Sequence, residues 1–233
     1  MGTLANLAAA TASFVGMHFL LSHPLRRPIV ALIGEGPFLG LYSLIALLTF
    51  GWMIVAARAA PEEGLLWTAP DWAWGVGSAV MLIASIFFAG SLIGNPATPD
   101  PARPYKPIGE ARGVYAITRH PMMWAFSLWA IVHVAVWPTL ANLILAGGIF
   151  ILAFFGMQAQ DRKKEQLIGG HWRDWERATS FWPFAALLSG RTAWSRAVPS
   201  AFSLAGGLGV WLLATAGHGW FGSPVVGLWR WLG

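Results

Sequence analysis

Two histidines of this chain stand where water is scarce. His18 lies inside the apolar run Thr3–Ser22, and His133 lies inside the run Met122–Trp137. An ionisable ring within a membrane span is expensive and marks a functional site by default. Neutral imidazole is a common metal ligand, and histidine ligation of haem is one use of it. The plainer reading is that each ring hydrogen-bonds a neighbouring helix. With two such rings the residues alone leave both readings open. His133 is 13 residues past His120, roughly 20 Å along a helix. His18 sits nearer the basic side, so the axial depths of His18 and His133 differ by roughly 10 Å. Tilted helices could close that gap, and His18 with His120 would match better in depth.

A second chemical feature is Arg119-His120-Pro121, at the mouth of the run that holds His133. Arg119 and His120 could hold a carboxylate or phosphate at the membrane face. Glu165, later in the chain, could accept from an amine or hydroxyl. The structural alternative makes Arg119 a topological anchor, His120 a polar helix end and Pro121 the first residue of its helix. His23, His171 and His218 read as structural or solvated. The small residues around His18 (Ala8, Ala9, Ala10, Ala12 and Gly16) would let a helix or a flat cofactor approach closely.

These side chains need a scaffold, and the composition says which kind. The chain is 56% hydrophobic and only 11% charged, about half the charge of an ordinary soluble domain. Fifteen tryptophans, several at the ends of apolar runs, fit aromatic belts at two membrane interfaces. The absence of cysteine excludes disulfides, thiolate-ligated haem, iron–sulfur clusters and covalent haem attachment through cysteine. A basic balance does not point to nucleic acid here, because membrane topology accounts for the basic residues.

Spans need about 20 apolar residues each. Six candidates are legible, at Thr3–Ser22, Phe38–Ala57, Trp74–Ile93, Met122–Trp137, Leu140–Gln158 and Ala201–Trp220. The expected fold is therefore all-α, a single polytopic membrane bundle of about six helices. Thirteen of the 15 basic residues fall after the first span and in loops 94–120 and 159–200. The positive-inside rule makes that side cytoplasmic and puts both termini outside. The first span lacks a positive region before it and reads as an uncleaved helix. Gly94–Ile108 carries five prolines and reads as an extended connector or a lid. Gln158–Gly190, with Trp172, Trp175 and Trp182 among charges, suggests an interfacial amphipathic helix.

Taken together, these residues resemble the NnrU family of integral membrane proteins, whose relatives include 15-cis-zeta-carotene isomerases. The resemblance rests on His18, Ser22 and Leu25-Arg26, on Gly40-Leu41-Tyr42-Ser43-Leu44, and on Gly113-x-Tyr115-x-x-Thr118-Arg119-His120-Pro121. It continues through His133, Thr179-Ser180, Pro183-Phe184 and Gly190-Arg191. For the isomerase branch the resemblance implies haem b held by His18 and His133. Where those isomerases carry a cysteine one turn before the second ligand, this chain has Ala130, so a cysteine ligand switch has no residue to use. The family name is associated with nitric oxide metabolism and denitrification.

The Arg-His-Pro and tryptophan block is also similar to the isoprenylcysteine carboxyl and phospholipid methyltransferases. That likeness implies S-adenosylmethionine near Arg119, His120 and Glu165. The chain departs from it with Lys164-Glu165 in place of two glutamates, and with Trp172 and Trp175 in place of tyrosines. The expectation is a haem b protein of the bacterial inner membrane, with redox, nitric-oxide-related or carotenoid isomerase-like activity. Its partners would be membrane lipid and an apolar polyene or a redox partner. A methyltransferase and a cofactor-free assembly protein are the rival readings.

Overall fold

The structure is a computed structural model and describes residues 2–61, 63–98, 108–221 and 224–232. Among them the secondary structure is entirely helical. The long elements are α1 (Leu4–Ser22), α3 (Glu35–Arg58), α4 (Asp71–Ser91), α6 (Pro121–Val136), α7 (Leu140–Ile168) and α10 (Ala201–Gly217). Short helices join them: α2 (Arg26–Ile33), α5 (Val114–Ile117), α8 (Gly170–Ala178), α9 (Ala185–Leu188) and α11 (Trp229–Leu232). Among the described residues, five helices are long and apolar enough to cross a membrane, and α6 is a shorter apolar helix of 16 residues.

Local chemistry sets where these helices start and stop. Thr3, Thr139 and Ser200 occupy the N-caps of α1, α7 and α10, and each hydroxyl accepts from a backbone N–H at 3.1 Å. Such caps satisfy amides that the helix itself leaves without partners. Pro121 opens α6, where its missing N–H costs nothing. Between α7 and α8 the chain reverses at Gly169, whose φ of 55° is open to glycine at no steric cost.

The helices pack in the lateral order α10, α4, α6, α7, α1, α3. At one crossing small residues bring backbones together. A Cβ on Gly207 of α10 would lie 2.6 Å from the Ile86 backbone of α4. The main core forms where α4, α6 and α7 meet the connecting segments, around Phe87, Tyr115, Trp124, Met157, Trp172 and Leu187. A smaller cluster of Leu7, Ala10, Phe14, Met53 and Ala56 joins α1 to α3. Outward faces stay apolar and exposed, as at Leu47, Val55 and Leu213. Exposed apolar surface on this scale suits lipid contact rather than water.

Two expectations are revised by this arrangement. The charged run after Gln158 does not leave the membrane helix but continues it as the last turns of α7. The expected interfacial helix shrinks to the nine residues of α8, and its Trp172 and Trp175 are buried in the core. Only Trp182 of the three remains exposed. The cause is packing: both indoles join the core cluster that contains Tyr115, with Tyr115 and Trp175 ring centroids 6.1 Å apart. Most of the proline-rich segment, residues 99–107, lies outside the described residues.

Candidate functional site

One end of the bundle, the basic end, carries residues 94–98, 108–120 and 159–200. There, the overshoot of α7 places Asp161 beside the start of α6. Arg119 donates from Nε and Nη2 to Asp161 Oδ2, at 2.9 and 2.7 Å. His120 Nε2 lies 3.0 Å from Asp161 Oδ1, although the angle there is poor for a hydrogen bond. The His120 ring is buried, and its Nδ1 has no partner among the described residues. A cavity of about 40 Å³ adjoins it, between Asn95, Arg119, Met122 and Gln160. Glu176 Oε1 of α8 approaches Arg119 Nη2 at 3.7 Å. Burial, and then the negative charge of Asp161, raise the Glu176 carboxyl above its ordinary value.

The motif that contains these residues is knitted to a distant block. Arg119 N donates to Ser180 O at 2.9 Å, and Phe184 N donates to Ile117 O at 2.8 Å. Thr118 Oγ1 and Trp124 Nε1 both donate to Phe181 O, at 2.8 and 2.9 Å. Residues 117–124 and 180–184 therefore form one unit, which explains why both blocks belong to the same pattern. Burial pushes the Tyr115 hydroxyl up, and it donates to Ser91 O at 3.1 Å.

A second feature is much larger. A cavity of about 1220 Å³ opens at the basic end between α1, α3, α7 and the first turns of α6. Its walls include Phe14, Phe38, Phe50, Phe126 and Ile149. His18 and Tyr42 face it from α1 and α3, with ring centroids 5.5 Å apart. Its mouth carries Arg26, Glu35, Lys163 and Lys164. The proline-rich connector flanks this mouth through Gly94–Thr98 and Ile108–Glu110.

The His18 ring is held in a definite state. Its Nδ1 is 2.7 Å from Phe14 O. A carbonyl only accepts, so Nδ1 carries the proton and Nε2 keeps a free lone pair. His133 has the same local geometry, with Nδ1 2.8 Å from Trp129 O. Its surroundings differ. The His133 ring stacks on Trp129 at 4.1 Å and lies 6.0 Å from His218. His133 is not among the residues that line the large cavity.

The structure thus brings Arg119 and His120 together around Asp161. His18 stands in the large cavity, and His133 pairs with His218 toward the far end of α6. α7 packs against both α1 and α6. Glu165 faces Arg173 on the surface, at 3.3 Å. Sequence reasoning missed Asp161, the His133–His218 pair and the cationic mouth, and it noted Tyr42 in a motif without giving it a role. Among the described residues no three His, Asp or Glu side chains converge as a metal site.

Fold and site define a helical membrane bundle with an amphipathic cavity open at its basic end. The chain matches the NnrU protein family over residues 6–225, nearly its whole length, and belongs to that family. Comparison with curated proteins and with solved structures found no significant match.

Proposed function

We propose that this NnrU-family protein binds haem b in the large cavity, where His18 would hold it. The observation that supports the reading is the state of His18. Its Nδ1–H is fixed on the Phe14 carbonyl and its ring lines an aromatic-walled cavity, which leaves Nε2 for a metal. The residues fit the group in kind: a neutral imidazole, flat apolar walls, and basic side chains at the mouth for acidic substituents. Bound there, haem supplies reversible one-electron chemistry and an electron-withdrawing iron. The chain's own part is to orient the imidazole through Phe14, to exclude water with Phe14, Phe50 and Phe126, and to size the cleft. Met122 and Met123 present thioethers to the same cavity, whereas His133 does not reach it. Redox or nitric-oxide-related chemistry and polyene isomerisation both presuppose the haem, and so rest on the same test.

The rival reading, methyl transfer from S-adenosylmethionine, would use Arg119, His120 and Glu165. Asp161 already engages the first two, and Glu165 stands apart with Arg173, so the geometry favours haem.

The test is the visible spectrum of the purified protein, oxidised and reduced. A Soret band is expected that disappears in His18→Ala and persists in His133→Ala. A colourless protein that takes up no added haem b would overturn the reading.

A further inference from the structure

The mouth of the large cavity gathers like charges. Arg26 lies at the start of α2, with its guanidinium 5.7 Å from the centre of the Phe38 ring. Lys163 and Lys164 reach the same mouth from the overshoot of α7 and are close enough to repel Arg26 electrostatically. Lys163 also bears on His23. Glu35 answers them by accepting from Arg26 at 2.5 Å, while Glu110, which also lines the cavity, is paired with Arg112 and Arg196. Among the described residues, neither lysine has an ion pair or a hydrogen bond.

Half-buried ammonium groups beside a guanidinium are held at a cost in desolvation and repulsion. Surface lysines that merely set topology would point into water and avoid it. Here the charges ring the opening of an apolar-walled cavity that runs inward past Tyr42 and His18 to Phe50 and Phe126. Charge at the rim and hydrocarbon surface within match a molecule of the same polarity.

We infer that Arg26, Lys163 and Lys164 form the recognition site for the acidic end, carboxylate or phosphate, of an amphiphile whose apolar body fills the cavity. The inference rests on the reading that this cavity is a ligand site, and it specifies the ligand's chemistry independently of any iron. Lys163 and Lys164 contact the acid group as charged donors. Arg26, already bound to Glu35, adds charge and a fixed rim.

The experiment measures binding to the full chain in a neutral detergent. The probe is cis-parinaric acid, a fluorescent polyene carboxylate, compared with its uncharged methyl ester. The acid is expected to bind at least tenfold more tightly than the ester. That preference should fall below twofold in the Lys163→Gln/Lys164→Gln variant and survive in Arg173→Gln/Arg177→Gln, which removes two exposed charges of α8. Lysophosphatidic acid should displace the probe and lysophosphatidylcholine should not, if phosphate serves; displacement by neither leaves carboxylate as the ligand class. Equal binding of acid and ester, or no binding of either, would overturn the inference. So would an acid preference untouched by the lysine substitutions. The two readings fail separately: the acid-to-ester ratio can be measured on protein that shows no Soret band, and a Soret band with equal binding of acid and ester sinks this inference alone.

Discussion

Asp161 holds Arg119 by two hydrogen bonds to one carboxylate oxygen, while its other oxygen lies 3.0 Å from the His120 ring. The three side chains belong to the overshoot of α7 and the first residues before α6, and all are largely shielded from solvent. The contact fixes the angle between two helices that both wall the large cavity. Its role is therefore to position the site: Arg119 is satisfied by Asp161, whereas neither ring nitrogen of His120 has a hydrogen-bond partner among the described residues.

Removing one partner of a buried pair leaves the other charge without compensation. Asp161→Asn should cost about 3–5 kcal/mol of stability, read as a fall in melting temperature in detergent. Replacing the pair jointly, as in Asp161→Leu/Arg119→Met, should recover much of that loss, because an apolar pair needs no counter-charge. If Asp161→Asn melts with the parent protein, the pair contributes nothing to the helix angle.

Part of this site was legible from sequence. Arg119-His120-Pro121 could be placed at a helix start because Pro121 is tolerated there and the apolar run follows at once. Asp161 could not be singled out. It sits in Gln160-Asp161-Arg162-Lys163-Lys164-Glu165, which reads as a solvated charge run. Only the unbroken extension of α7 brings it across 42 residues to Arg119. Trp172 and Trp175 misled for a related reason: indoles among charges suit an interface, but a nine-residue helix turns both into the core cluster. Helical rise supplied an expected depth difference between His18 and His133. Their different neighbours, Tyr42 for one and His218 for the other, depend on lateral helix order, which periodicity does not encode.

Glu176 should confer a pH dependence of definite sign. Burial raises its carboxyl above the ordinary 4.5, so the fold favours the protonated form. Its contribution is then fully present below the unfolded value and lost as pH rises through the folded one. Glu176→Gln cannot ionise and escapes that loss. Melting temperatures of parent and variant should converge near pH 4 and diverge in favour of the variant toward pH 7. A difference that shrinks as pH rises would mean that the Arg119 contact at 3.7 Å dominates instead.

The α4–α10 crossing should resist side-chain growth at Gly207, whereas an open position such as Gly147 of α7 should tolerate it. A Cβ at Gly207 meets the Ile86 backbone, which cannot rotate away. Gly207→Val should therefore destabilise by about 1–3 kcal/mol through overpacking. Gly147→Ala is the control, since nothing lies within 4 Å of its added Cβ. There the helix propensity of alanine should raise stability by up to about 1 kcal/mol. Thermal denaturation of both variants in one detergent decides; equal effects would show that α4 and α10 are not in close contact.

Gly156 offers a way to close the cavity without touching a proposed ligand. It lies in α7 on the cavity wall, and a Cβ there meets Met123 Sδ and Cε at 3.8 Å, an ordinary contact. The first carbon is thus accommodated, and the remainder of a large side chain must project into the open volume. Gly156→Trp should leave His18, its Phe14 hydrogen bond and the core around Trp172 intact. Expression and melting temperature should stay near the parent values, while the Soret band and the binding of parinaric acid are both lost. A Soret band at full strength in Gly156→Trp would place haem outside this cavity. The His133–His218 pair, whose rings lie 6.0 Å apart, would then be the site to mutate next. Loss of acid binding with the Soret band intact would instead divide the two ligands between separate places in the bundle.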